Sequence, residues 1–138
     1  MAPASHHAHH EPCMDPSVSH APDRCGTLAL PDGSRCNLAW WLFSPAGAGG
    51  GPAAASAPPA GRVLVIWGAF ATARHFDDVA AHLRDHHGFE LLCYHHRGVA
   101  SSGPCTMDTP QSSALLAADA LALVDHVWGP QQAVHLYG

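Results

Sequence analysis

A histidine cluster near the start of the chain is the densest group of metal-binding side chains in the sequence. His6, His7, His9 and His10 form the run HHAHH, and neutral imidazoles at this spacing can chelate zinc, nickel or copper. The surrounding residues are rich in proline and serine, so ordering them around a metal would cost conformational entropy. We therefore expect only adventitious metal binding, as in a purification tag, and no cofactor.

Two adjacent serines and two helical acids are the next candidates for chemistry. Ser101 and Ser102 have the right hydroxyl for acyl transfer, but no Gly-x-Ser-x-Gly sequence surrounds them, which predicts a loop-capping role for both. Asp119 and Asp125 are six residues apart on a predicted helix, a spacing that separates their side chains. Both are expected to face solvent.

The remaining histidines follow the predicted elements. His86, His87, His95 and His96 come at the ends of a helix and a strand, which predicts surface positions. His135 alternates with apolar neighbours and is expected to face a helix from the sheet.

Composition excludes several classes of partner. The net charge is −5 and there is no lysine and no basic cluster, so a nucleic-acid-binding surface is not expected. The apolar runs are far shorter than the ~20 residues that a membrane span needs. The N-terminus lacks the apolar segment of a signal peptide, and the five cysteines include no C-x-x-C pair. Reduced thiols and a cytoplasmic location are the expectation.

The chain divides into four parts by composition. Residues 1–25 are expected to be a disordered tail rich in histidine and proline. Residues 26–43 predict a β-hairpin around the turn sequence PDGS, and its second strand should be at least half covered. Residues 44–61 form a low-complexity linker or insertion. Residues 62–138 alternate between strand and helix patterns.

This last part predicts an α/β fold in which a doubly wound, mostly parallel sheet is formed in part. The predicted strands are VLVIW (63–67), FELLCY (89–94) and AVHLY (133–137), because they are short apolar runs bounded by turn residues. A first helix should begin at Thr72, present Phe76, Val79, Ala80 and Leu83, and end at Gly88. A second should begin at Thr109 and Pro110 and end at Gly129.

Three motifs in residues 61–138 resemble the α/β-hydrolase fold family. VLVIWGAFATARHF is similar to the family's third strand and the loop that follows it. CYHHRGVASSGP is similar to the fourth-strand motif Y-D-x-R-G-x-G-x-S, with Arg97 and Gly98 at its turn. AADALALVDHVWGPQQAVHLYG is similar to the helix and strand that lead into the motif G-x-S-x-G.

The resemblance implies a serine hydrolase acting on a small ester or acyl substrate. Gly138 would be the first glycine of the nucleophile elbow, and the serine, acid and histidine of the triad would all come after it. The oxyanion hole would use the backbone N–H of Ala69, directly after Gly68. As given, the chain is therefore expected to be an inactive N-terminal fragment.

Three positions depart from the family pattern. Trp67 stands where a histidine is common, which raises the question of what braces the following loop. His95 stands where an aspartate often orders the fourth-strand loop. Ala100 replaces a glycine, which matters if that position needs a positive φ.

A different class of function stays open beside the hydrolase. The chain could be a non-catalytic module that binds a partner or a metal. In either case the apolar sequence 133–137 contains no proline and no charged residue apart from a possible charge on His135, which predicts self-association through an exposed edge strand.

Overall fold

The computed structural model describes residues 21–45, 58–68, 76–102 and 111–138. The strands are β1 (Arg24–Ala29), β2 (Asn37–Phe43), β3 (Gly61–Val65), β4 (Phe89–Tyr94) and β5 (His135–Tyr137), and the α-helices are α1 (Asp77–His87) and α2 (Ser113–Trp128). The strands form one sheet in the order β1-β2-β4-β3-β5. The α/β class is confirmed, with β3 parallel to β4 and β5 and β2 antiparallel to β1 and β4. The division into four domains stays a prediction, since residues 1–20 and 46–57 lie outside the described ranges.

The first two strands form the hairpin expected from the PDGS turn. The Asp32 carboxylate accepts a 3.0 Å hydrogen bond from the Ser34 backbone N–H, and Gly33 has a φ of 77°, which favours glycine. The Leu30 N–H donates to the Cys36 carbonyl at 2.9 Å and closes the loop. The turn sequence therefore fixes the register of the hairpin.

Strand β2 is buried on both faces because it lies inside the sheet. Leu38, Trp40 and Leu42 pack on the face that α2 covers, whereas Trp41 and Phe43 pack on the face that α1 covers. The two apolar clusters thus lie on opposite sides of one sheet, as the crossover rule for α/β folds requires.

Helix α1 begins later than its predicted start. Its first residue is Asp77, preceded by Phe76 without a side-chain cap, and Thr72 lies outside the described residues. Gly88 ends the helix in the left-handed conformation, as predicted. Phe76 and Ala80 are buried, but Val79 is 40% exposed, because the contact with the sheet is narrower than the apolar stripe in the sequence.

Helix α2 also begins later in the chain than predicted. Ser112 is the N-cap, and its hydroxyl accepts a 3.2 Å hydrogen bond from the Leu115 N–H. Thr109 and Pro110 lie outside the described residues. The cap residue was misassigned because Ser112 and Thr109 are both good caps by residue type. The predicted end at Gly129 is confirmed.

Strand β5 is shorter than predicted and lies at the edge of the described sheet. It pairs with β3 over three residues, with Val65 opposite Tyr137. His135 is exposed, with its ring 6.2 Å from that of Phe89. It therefore does not face a helix, which corrects the prediction.

Candidate active site at the carboxyl edge of the sheet

Residues 66–68 follow β3 and begin the loop in which the resemblance predicts an oxyanion hole. The Ile66 N–H donates to the Tyr137 carbonyl at 2.7 Å, which holds the start of this loop against the end of β5. Gly68 is exposed, and a methyl group added at its Cα would contact nothing within 4 Å. Ala69 lies outside the described residues, so its role as an oxyanion donor stays a prediction.

His96 braces this loop from the neighbouring strand. Its Nε2 lies 2.7 Å from the carbonyl oxygen of Trp67. A carbonyl only accepts, so Nε2 carries the proton in this contact. His96 is 6% exposed, which makes its predicted surface position wrong. The hydrogen bond holds the peptide directly before Gly68. It is therefore a bracing contact at the start of the loop, where Trp67 replaces the histidine that is common in the family.

His95 is also buried, at 5% exposure, against the prediction of a surface position. Its ring lies edge-on to Trp41 at 4.6 Å between centroids, and its Nδ1 is 3.1 Å from the Ser101 hydroxyl. The strand pattern ends at Tyr94, but the side chains of the next three residues, 95–97, are also buried. The apolar pattern of the strand therefore gives no signal that residues 95–97 are buried.

Ser102 ties the fourth-strand loop to the hairpin. Its hydroxyl donates to the His95 carbonyl at 2.7 Å and accepts from the Ala39 N–H at 3.0 Å. The side chain is fully buried. Both serines thus have the structural role predicted for them, and together they supply contacts that hold the loop in which His95 replaces an aspartate.

Arg97 is the electrostatic centre of this edge. Its Nε donates to Asp119 at 2.6 Å, and its Nη1 lies 2.9 Å from Asp32 of the hairpin turn. Arg97 and Asp119 have 3% and 4% side-chain exposure. Hydrogen bonds to Asp119 raise the pKa of Arg97 further above its ordinary value. The arrangement joins the hairpin, the fourth-strand loop and α2.

Asp119 therefore does not face solvent, and this prediction is corrected. The i, i+6 spacing does separate it from Asp125, which is exposed as expected. Its burial follows from Arg97, because a buried guanidinium needs a carboxylate partner. The motif around Arg97 signals a charge in need of a partner, but no local pattern in the sequence identifies which acid it is.

The turn after Arg97 keeps the backbone of the motif despite one substitution. Gly98 has a φ of 74°, and Ala100 has a φ of 45°. The position of Ala100 does require the left-handed region, in which an alanine is less favourable than a glycine. The hydrogen bonds of the neighbouring Ser101 and Ser102 hold the loop in this conformation despite the unfavourable φ of Ala100.

Gly138 follows β5 in a close contact that excludes a side chain. A Cβ added there would lie 2.9 Å from the carbonyl oxygen of Ile66, closer than real Cβ contacts come. Glycine is thus the residue that fits at this point, and the contact places the end of β5 beside the loop that leads to Gly68.

Three further predictions concern metal binding, membrane spans and the state of the cysteines. Among the described residues no cluster of three or more His, Cys, Asp or Glu side chains could hold a metal ion, and the HHAHH tract lies outside them. No described helix is long and apolar enough to cross a membrane.

Cys36 is disulfide-bonded, so the expectation of reduced thiols is wrong at this position. The predicted cytoplasmic location loses one of its grounds.

Comparison with known proteins supports the fold through structure alone. No family model and no curated protein matches the sequence. A soluble variant of monoglyceride lipase from Saccharomyces cerevisiae, solved with a substrate analogue, superposes with a TM-score of 0.61 at 16% identity, covering 88% of this chain and 37% of the lipase. An alpha-beta serine hydrolase homologue from Coxiella burnetii gives 0.53 at 14% identity, covering 85% and 51%.

These similarities show that the chain has the fold of the α/β hydrolases, as its motifs suggested. The chain spans between about a third and a half of the length of the two structures that it resembles. Identities this low support the fold only, so the chemistry has to be inferred from the residues of the site.

Proposed function

We propose that the chain forms the front part of a serine hydrolase that acts on a small ester or another acyl substrate. Gly68 and Ala69 provide the first half of the oxyanion hole, and Gly138 is the first glycine of the nucleophile elbow. Arg97 and Gly98 form the turn of the fourth-strand motif, directly after His96, which contacts the Trp67 carbonyl. The proposal names a reaction class and leaves the acyl and alcohol groups open.

The observation that carries the proposal is the contact between Gly138 and Ile66. The elbow motif needs a residue without a side chain directly after its strand, because the chain turns sharply beside the neighbouring strand. Here a Cβ would meet the Ile66 carbonyl at 2.9 Å, two residues before Gly68. This contact supports the proposal, because the segment that leads to Gly68 lies beside the end of β5.

Under this proposal the 138 residues alone do not hydrolyse esters. They contain no Gly-x-Ser-x-Gly sequence to supply the activated serine, and in the family's chain order the acid and the histidine come after that serine. One backbone donor is not a substitute for them, because the nucleophile and base supply most of the rate enhancement.

The test begins with the transcript that encodes the chain. We expect the reading frame to continue after the Gly138 codon with x-Ser-x-Gly and later an aspartate and a histidine. A fluorophosphonate probe should then label the encoded protein at that serine, and a serine-to-alanine variant should not be labelled. A frame that lacks this serine, or a protein with the serine that stays unlabelled, contradicts the proposal.

A further inference from the structure

A cavity on the α2 face of the sheet is not used by the proposed hydrolase chemistry. It has a volume of about 260 Å³ and lies between the carboxyl ends of β3 and β4 and the first turns of α2. Its apolar wall includes Ile66, Leu116, Ala117 and Ala120. This size suits a ligand smaller than a typical drug-sized molecule.

Three buried polar groups among the residues that line the cavity have no hydrogen-bond partner among the described residues. They are the Nε1 of Trp67, the Tyr94 hydroxyl and the Nδ1 of His96. The Tyr94 and His96 rings meet edge to face with 5.1 Å between their centroids. Buried polar groups are usually satisfied, because an unpaired group loses its hydration without a hydrogen bond in return.

The Tyr94 hydroxyl and the Nδ1 of His96 have complementary hydrogen-bonding roles. His96 uses its Nε2–H toward Trp67, so in its neutral form Nδ1 can only accept. Burial raises the pKa of Tyr94 to about 12, with the charge of Asp119 adding to the effect, so its hydroxyl stays protonated and can donate. One ligand hydroxyl can donate to His96 and accept from Tyr94 at the same time.

Charge limits the ligand further. None of the described residues that line the cavity is Asp, Glu, Lys or Arg. The nearby Arg97 is paired with both Asp119 and Asp32, so its charge is already compensated. Among these described residues a charged ligand would lose its hydration without gaining a partner.

From these observations we propose that the cavity binds a neutral compound of fragment size that combines an apolar ring or short chain with one hydroxyl group. The inference does not depend on the proposed hydrolase function, since it needs no nucleophile and uses Ile66 and Trp67 only as cavity wall and as the partner of His96.

The test compares cyclohexanol with cyclohexanone in a titration of the 138-residue chain followed by ¹H–¹⁵N NMR. The two probes have nearly the same size, but the ketone cannot donate to His96. We expect cyclohexanol to bind about tenfold more tightly, which corresponds to one neutral hydrogen bond. Chemical shifts should change at Tyr94, His96 and Ala117.

Variants locate the site and its polar contacts. Tyr94→Phe should weaken both probes about tenfold and preserve their ratio, because both accept from Tyr94. Ala117→Leu should abolish binding by filling the cavity, whereas Ala118→Leu, on the next and also exposed residue of α2, should not. Because Ala117 is exposed, this pair decides the outcome even if Tyr94→Phe fails to fold.

Three results would overturn the proposal. They are equal affinities for the two probes, an absence of shifts at the cavity residues, and full binding by Ala117→Leu. Equal affinities would identify an apolar cavity without polar recognition, and the other two would place no ligand there.

Discussion

Strands β4 and β5 are the two parallel neighbours of β3, and their environments differ sharply. Leu91 and Leu92 of β4 are fully buried, whereas Leu136 and Tyr137 of β5 are 67% and 50% exposed. Both strands are apolar in sequence. The difference arises from position, because β4 has a strand on each side and a helix over each face, whereas β5 lies at the edge of the described sheet. An apolar run thus predicts a strand, and its neighbours decide its burial.

The largest expected difference between the two strands is the cost of removing a leucine. Leu92→Ala should lower the free energy of unfolding by about 3–4 kcal/mol, since it opens a cavity in the α2-side core. Leu136→Ala should cost less than about 0.5 kcal/mol, because the side chain is mostly in water. Urea unfolding of the two variants checks this, and equal losses would remove the basis of the comparison.

A second large effect should come from the ion pair that joins the fourth-strand loop to α2. Asp119→Ala should destabilise the chain by about 3 kcal/mol, because among the described residues it leaves the buried Arg97 with Asp32 as its remaining carboxylate partner.

Asp125→Ala is the matched control on the same helix. Its carboxylate is exposed, so we expect a change within about 0.5 kcal/mol. Thermal and urea unfolding should separate the two variants, and similar stabilities would show that the Arg97 pair adds nothing to the loop.

The open side of β5 should make the chain self-associate. Edge strands with exposed apolar side chains pair with other copies, so light scattering should find more than one chain per particle at micromolar concentration. Leu136→Lys should restore the monomer by placing a charge on the edge.

Leu121→Lys tests whether any added charge has this effect. Leu121 is 66% exposed on α2, nearly the same exposure as Leu136, but far from the edge strand in sequence. It should leave association unchanged. A wild-type chain that is a stable monomer, or equal effects of the two lysines, would contradict the prediction.

The smallest effect concerns acid stability at the hairpin. Hydrogen bonds from the Ser34 hydroxyl and N–H, together with Arg97, lower the pKa of Asp32 to about 2 from its ordinary value of 3.8. A lowered folded-state pKa stabilises the fold above the ordinary pKa, and this contribution is lost as the pH falls toward 2. The effect should be small, since solvent screens a carboxylate that is 34% exposed.

Asp32→Asn removes this titration. The stability difference between the wild type and the variant should therefore be constant near neutral pH and should narrow between pH 4 and pH 2. Urea midpoints measured across this range test the prediction, and a difference that stays constant down to pH 2 would mean that Asp32 has no shifted pKa.

The sequence predicted the elements better than it predicted the site. Local rules were sufficient for β4, for Gly88 at the end of α1 and for the PDGS turn, because each depends on adjacent residues. The burial of His95, His96 and Asp119 depends on partners far along the chain, such as Trp67 and Arg97. The motif resemblance singled out residues that lie at one edge of the sheet, but the hydrogen bonds among them could be read only from the fold.

Hydrogen exchange of backbone amides tests the central claim most directly, namely that the strands next to β3 form a closed interior on one side and an open edge on the other. In the monomeric Leu136→Lys chain, amides of residues 91–93 should exchange at least about 100-fold more slowly than those of residues 135–137. Equal protection of the two segments would contradict the account, since it would mean that β5 is as well covered as β4.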